Sequence, residues 1–152
     1  MRLDVRSPIA RRSVLSLLAG GAAAALAAPR ARAAPPLLKF GDLYARYGEL
    51  SDRALAISGS TVRMNGYMAP PLKPEVRFFV LTALPMSVCP FCESEAQWPE
   101  DIVLVYTTGS VEIVRYTDLV RVVGRLETGK ATDPDTGFFS LVRIVDADVE
   151  KL

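Results

Sequence analysis

The sequence predicts a mainly β fold: a small OB-like antiparallel barrel of five to six strands, preceded by a short N-terminal helical segment. Three observations carry this expectation. Short apolar or alternating runs recur between Gly- and Pro-bearing turns from residue 59 onward. The strand–helix–strand spacing of a parallel α/β fold does not occur. Gly66 sits in mid-strand, where a bulge or sharp bend lets a small sheet curl and hide its edges. A β-sandwich is the second architecture that fits.

The elements follow in order. Residues 40–57 carry helical segments: Leu43, Tyr44 and Tyr47 have helical spacing, and Ser51 ahead of Leu55 and Ala56 can cap a further turn. Gly48 and Gly59 interrupt and end this region. Residues 61–68 alternate, with Val62, Met64 and Met68 on one face and Arg63, Asn65 and Tyr67 on the other, until Pro70 and Pro71 stop the strand. Residues 76–84 are apolar on both faces, and 102–106 are another buried run. Gly109 and Ser110 turn the chain toward a short strand over 111–114. In 119–126, Val120, Val122, Gly124 and Leu126 face one way, opposite Arg121, Val123 and Arg125. The last strand covers 138–149. Residues 128–137 read as a long hairpin loop, because Gly129, Asp133-Pro134-Asp135 and Gly137 have turn chemistry.

The 152 residues carry a net charge of +1 and no histidine. Lacking histidine, the chain cannot run Ser-His-Asp or Cys-His catalysis or hold His-ligated zinc. The near-neutral total hides two unlike parts. Residues 1–33 hold six arginines against Asp4 alone, leaving the remainder at −4. Arg11-Arg12-Ser13-Val14-Leu15 has the pattern of a twin-arginine export signal. The uncharged stretch 13–28 is sixteen residues, short of the ~18–20 that span a bilayer. Ala31-Arg32-Ala33 is a small-x-small cleavage signature. Arg30 and Arg32 before the cut disfavour the general secretory route. The expected organisation is a signal over 1–33, a linker and helical segment over 34–58, and the barrel over 59–152. The expected location is the periplasm, with cleavage after Ala33 and membrane contact only during export. An acidic exported domain is not expected to bind nucleic acid, which needs a basic groove.

The stretches Val62-Arg63-Met64-Asn65-Gly66-Tyr67-Met68-Ala69-Pro70, Arg77-Phe78-Phe79-Val80-Leu81 and Val120-Arg121-Val122-Val123-Gly124-Arg125-Leu126 resemble a family of small exported bacterial proteins. Its members are largely uncharacterised, OB-like, and often found with ABC-type exporter components. The resemblance implies an accessory binding or assembly role, with a transporter or periplasmic protein as partner. Relatives often carry adjacent cysteines and a run of prolines; here Cys89-Pro90-Phe91-Cys92 and Pro99 stand instead.

That tetrad is the most chemically pointed stretch of the exported part and holds both cysteines of the chain. Its spacing lets both sulfurs reach one atom or each other. A structural disulfide is the plainest reading in an oxidising compartment. Soft-metal binding is the second: thiolates favour zinc, copper(I) and iron–sulfur centres. Met86, Met68, Glu93 or Glu95 can supply further ligands, as can the same pair on a second copy in a homodimer. Met86 and Met68 also read as core plugs. Thiol–disulfide exchange is the third reading, although a thioredoxin-like unit needs a longer helix than 93–98 allows before Pro99. A binding protein is therefore expected ahead of an enzyme, and no carboxylate pair is placed for acid–base work. Arg121 and Arg125 read as a solvated face more readily than as an anion site, Asp133 to Gly137 as a plain turn, and Trp98 as core cover.

Overall fold

The structure is a computed structural model that describes residues 33–46, 49–70, 77–87, 99–109 and 112–152. The described residues belong to one compact unit, Ala33–Leu152. The export-signal residues Arg11, Arg12 and Ala31 lie outside the described residues, as do Tyr47, Gly48, Cys89, Cys92, Glu93, Glu95 and Trp98. Among the described residues no helix is long and apolar enough to cross a membrane.

Among the described residues five strands form the unit: β1 (Thr61–Met68), β2 (Phe78–Thr82), β3 (Ile102–Thr107), β4 (Leu119–Thr132) and β5 (Phe139–Lys151). They close into a barrel in the order β1-β2-β3-β5-β4, with β4 returning to β1. The small OB-like barrel is therefore the observed class, with one departure. β3 and β5 pair in parallel, Leu104 beside Arg143 and Val105 beside Ile144, while the other four pairings are antiparallel.

Alternation decides what fills the barrel. Val62, Met64 and Met68 of β1 and Val120, Val122 and Leu126 of β4 are buried, as the period of two requires. β2 is buried along its whole length. Phe79 and Leu81 join the main core with Val103 and Val105 of β3. Phe78 and Val80 form a second apolar cluster with Ile102, Leu104 and Ala69, against which Tyr106 and Phe138 pack.

The N-terminal helical segment is small. It comprises a 3-10 turn, Phe40–Asp42, and helix α1, Asp52–Ala56. Ser51 caps α1 as expected, its Oγ accepting from the Ala54 N–H at 3.0 Å. Leu38, Leu43 and Ala54 enter the main core. Ahead of them, the chain lies along β1 as a short strap: the Arg63 N–H donates to the Pro36 carbonyl at 2.9 Å, and the Leu38 N–H to the Arg63 carbonyl at 2.8 Å.

Three sequence expectations change. Gly66 marks no bulge, because β1 pairs with β4 without a register shift from Thr61 to Tyr67. It lets β2 approach instead: a Cβ there would sit 2.7 Å from the Thr82 carbonyl oxygen. The bulge lies on β5, opposite Gly124, where the register shifts between Val123 and Arg125 and Asp146 adopts φ 53°. A Cβ on Gly124 would meet Ile144 Cγ2 at 2.5 Å and the Val145 carbonyl oxygen at 2.8 Å. Second, residues 112–115 are irregular, and Ile113 is exposed. The closed ring leaves no edge for that stretch to join. Third, β4 and β5 continue as a ribbon to the Thr132–Phe139 pair, so the connecting loop shrinks to 133–138.

Gly124→Ala is expected to lower unfolding free energy by about 2–4 kcal/mol, since backbone as well as a side chain must move. Gly41→Ala, where a Cβ meets nothing within 4 Å, is expected to change it by less than about 0.5 kcal/mol. Urea midpoints of the two variants check this difference.

Candidate functional site

The cysteine tetrad belongs to the connection between β2 and β3, and the described residues define how that connection is held. Five consecutive pairs, from Phe78↔Tyr106 to Thr82↔Ile102, form a regular ladder. One step further, the Ala83 N–H donates to the Asp101 carbonyl at 2.9 Å. The buried Thr82 hydroxyl donates to the Leu84 carbonyl at 2.7 Å, with the Tyr67 carbonyl 3.2 Å away. Ala83 and Asp101 thus close the base of the connection, on two strands that have apolar neighbours on both faces.

Two of the proposed ligands, Met86 and Met68, fall on described residues. Met86 lies in the first part of this connection and is half-buried. Met68 is 2% exposed within the main core, where it fills space between strands as a plug residue does. Ala33, at the expected cleavage point, is exposed.

The loop between β4 and β5 carries a charge network that the sequence left as a plain turn. Asp133 is buried. Its Oδ1 accepts from the Thr136 hydroxyl at 2.7 Å, the Thr136 N–H at 2.9 Å and the Asp135 N–H at 3.2 Å. Its Oδ2 accepts from the Tyr106 hydroxyl at 2.9 Å. The loop closes through Asp133 N–H to the Phe138 carbonyl at 2.8 Å. Phe138 then lies against Phe78, ring centroids 5.4 Å apart. One carboxylate so ties the loop to β3 and seats an aromatic cover on the second apolar cluster. An aspartate opening a turn, with a hydroxyl three residues on, was the available signal; the Tyr106 partner, 27 residues away, was not visible.

Burial alone would raise the Asp133 carboxyl, but the bonds from Thr136, Tyr106 and Asp135 outweigh it and hold it below the usual range. Burial raises the Tyr106 hydroxyl far above its ordinary value, and the bond to and charge of Asp133 raise it further.

Charges on the outer wall are cross-linked. Arg121 pairs with Glu150 at 3.0 Å, and Arg143 with Glu127 at 3.0 Å. Arg125 pairs with Asp146 at 3.0 Å and with Glu127. The bonds to Asp146 and Glu127 raise the Arg125 guanidinium further. The two arginines considered for anion binding therefore already hold carboxylates. Asp118 receives Lys151 at 2.7 Å and Arg115 at 3.3 Å, and the Lys151 bond leads in lowering its carboxyl.

The barrel has a solved counterpart. The chain is similar to a DUF3299 family protein from Pseudomonas aeruginosa PAO1, with a TM-score of 0.50 and 18% identity over 78% of this chain and 97% of that one. At that identity the likeness shows the fold. No family model and no curated protein matches the sequence.

The Asp133–Tyr106 link bounds stability at both ends of the pH scale. Its acidic limb stabilises the fold above about pH 4, the unfolded aspartate value, and is lost as pH falls through the lowered folded value. Its alkaline limb is complete below about pH 10 and is lost as pH rises toward the raised tyrosine value. Thermal unfolding across pH is expected to show Asp133→Asn flattening the acid slope and Tyr106→Phe the alkaline slope. Each variant is expected to cost about 1–3 kcal/mol at pH 7.

Proposed function

We propose that this protein is an exported periplasmic accessory binding protein whose barrel carries Cys89 and Cys92 as a soft-metal site, serving a transporter or another periplasmic protein. The observation that supports it most is the locked base at Thr82, Ala83 and Asp101, which gives a cysteine-bearing connection a rigid mount. Two thiolates two residues apart offer half of a closed tetrahedral set and suit zinc or copper(I). Met86 and Glu93 are the ligands close in sequence, and a second copy is the other route to completion. Met68 drops out of the ligand set because its burial in the main core serves packing.

Export by the twin-arginine route, with cleavage after Ala33, is part of the same proposal. It is supported by the Arg11-Arg12 pattern and by the two-residue gap between that bond and Pro36, the first of the described residues bonded to β1.

The test is metal content of protein purified anaerobically from the periplasm. About one zinc or copper per chain or per chain pair is expected. Cys89→Ser with Cys92→Ser is expected to abolish it and leave the melting temperature of the metal-free protein within about 2 °C. Metal-free protein whose cysteine pair, kept reduced by added dithiothreitol, catalyses reduction of insulin disulfides would replace this reading with a thiol–disulfide oxidoreductase.

A further inference from the structure

The strap along β1 begins almost at the expected cleavage point. Both of its bonds fall on one residue: the Arg63 N–H donates to the Pro36 carbonyl, and the Arg63 carbonyl accepts from the Leu38 N–H. Leu37, between them, bridges Arg63 in parallel and is 41% exposed, whereas Leu38 is 2% exposed in the main core. Behind Leu38 the chain is pinned again. The Lys39 N–H donates to Asp42 Oδ2 at 3.0 Å, and Asp42 pairs with Arg53 of α1 at 3.1 Å. The strap can therefore peel from its N-terminal end as far as Leu38 while the turn and helix stay in place.

Ala33 and Ala34 are exposed, so burial does not shield the bond between them. Its limit is reach. Ala34 and Pro35 alone separate that bond from Pro36, and two extended residues span roughly 7 Å. Prolines at 35 and 36 stiffen this tether. A peptidase takes its substrate as an extended segment, with residues on both sides of the cut bond inside its cleft. So short a tether holds the bond too close to the barrel wall for a cleft to enclose the residues that follow it. Those residues enter only after leaving Arg63. Because both strap bonds sit on Arg63, release is one step. It breaks two backbone bonds and uncovers a leucine, which keeps the open form to about one chain in a hundred or fewer. Where opening is fast relative to cutting, the cutting rate follows that population.

We propose that the strap is a brake on processing: the bond after Ala33 is cut only in chains whose residues 36–38 have left β1. The proposal rests on the cleavage reading above and is independent of the cysteine pair. The test is the rate at which purified leader peptidase, in detergent, converts the full chain to one starting at Ala34. Leu38→Ala is expected to speed the cut about tenfold. A spacer of about eight Gly and Ser residues between Pro35 and Pro36 keeps Leu38 in place and is expected to speed it at least as much. Leu38→Ala added to the spacer chain is expected to change the rate no further. Val80→Ala, in the second apolar cluster, is expected to lower the melting temperature and leave the rate within about twofold. Equal rates for the wild-type and spacer chains overturn the brake and leave the signal standing, as does an acceleration by Val80→Ala equal to that by Leu38→Ala. Absence of a cut after Ala33 even in the spacer chain overturns the cleavage reading and the brake with it.

Discussion

A sheet that closes on itself must tilt and bend its strands, and in this barrel two strand pairs approach more nearly than a side chain allows. Two glycines meet that requirement here. Gly66 lets β2 come against β1, and Gly124 admits the inward step of β5 at its bulge. The close approach at Gly124 accompanies the αL conformation of Asp146, whose carboxylate is held by Arg125. Aspartate tolerates that backbone better than a β-branched residue would. The same shift turns Ala147 inward and leaves Asp148 exposed.

Closure also explains the doubly buried hairpin. β2 and β3 complete the ring with one face, while the opposite face supports a second apolar layer under Phe138. Such a hairpin has little freedom at its base, which suits it to carry a long connection. The Asp133 network closes the loop that carries Phe138 onto this layer.

Most of the barrel was legible in residue patterns. Alternation in β1 and β4 placed Val62, Met64, Val120, Val122 and Leu126 inside, and the continuous apolar run of β2 announced burial on both faces. Pattern failed where tertiary context decides. Residues 111–114 read as a short strand, yet 112–114 are irregular, and a closed ring has no edge to offer them. Thr128 to Thr132 look like loop because they are polar, but they pair with β5 in a ribbon extending the sheet. The parallel β3–β5 pairing has no local signature, since it follows from closure. Of the candidate site, the cysteine spacing and the core-plug reading of Met68 were readable directly, whereas the locked base and the Tyr106–Asp133 bond depend on contacts between distant parts of the chain.

Hydrogen exchange of the reduced protein, with and without one equivalent of zinc, tests the central claim most directly: a rigid barrel holds a metal-binding connection at a fixed base. The account predicts slow exchange for β2 and β3 amides in both states and a zinc-dependent slowing confined to peptides from 83–101. Fast exchange across β2 and β3 without zinc, or slowing spread through the barrel with none in 83–101, would contradict it.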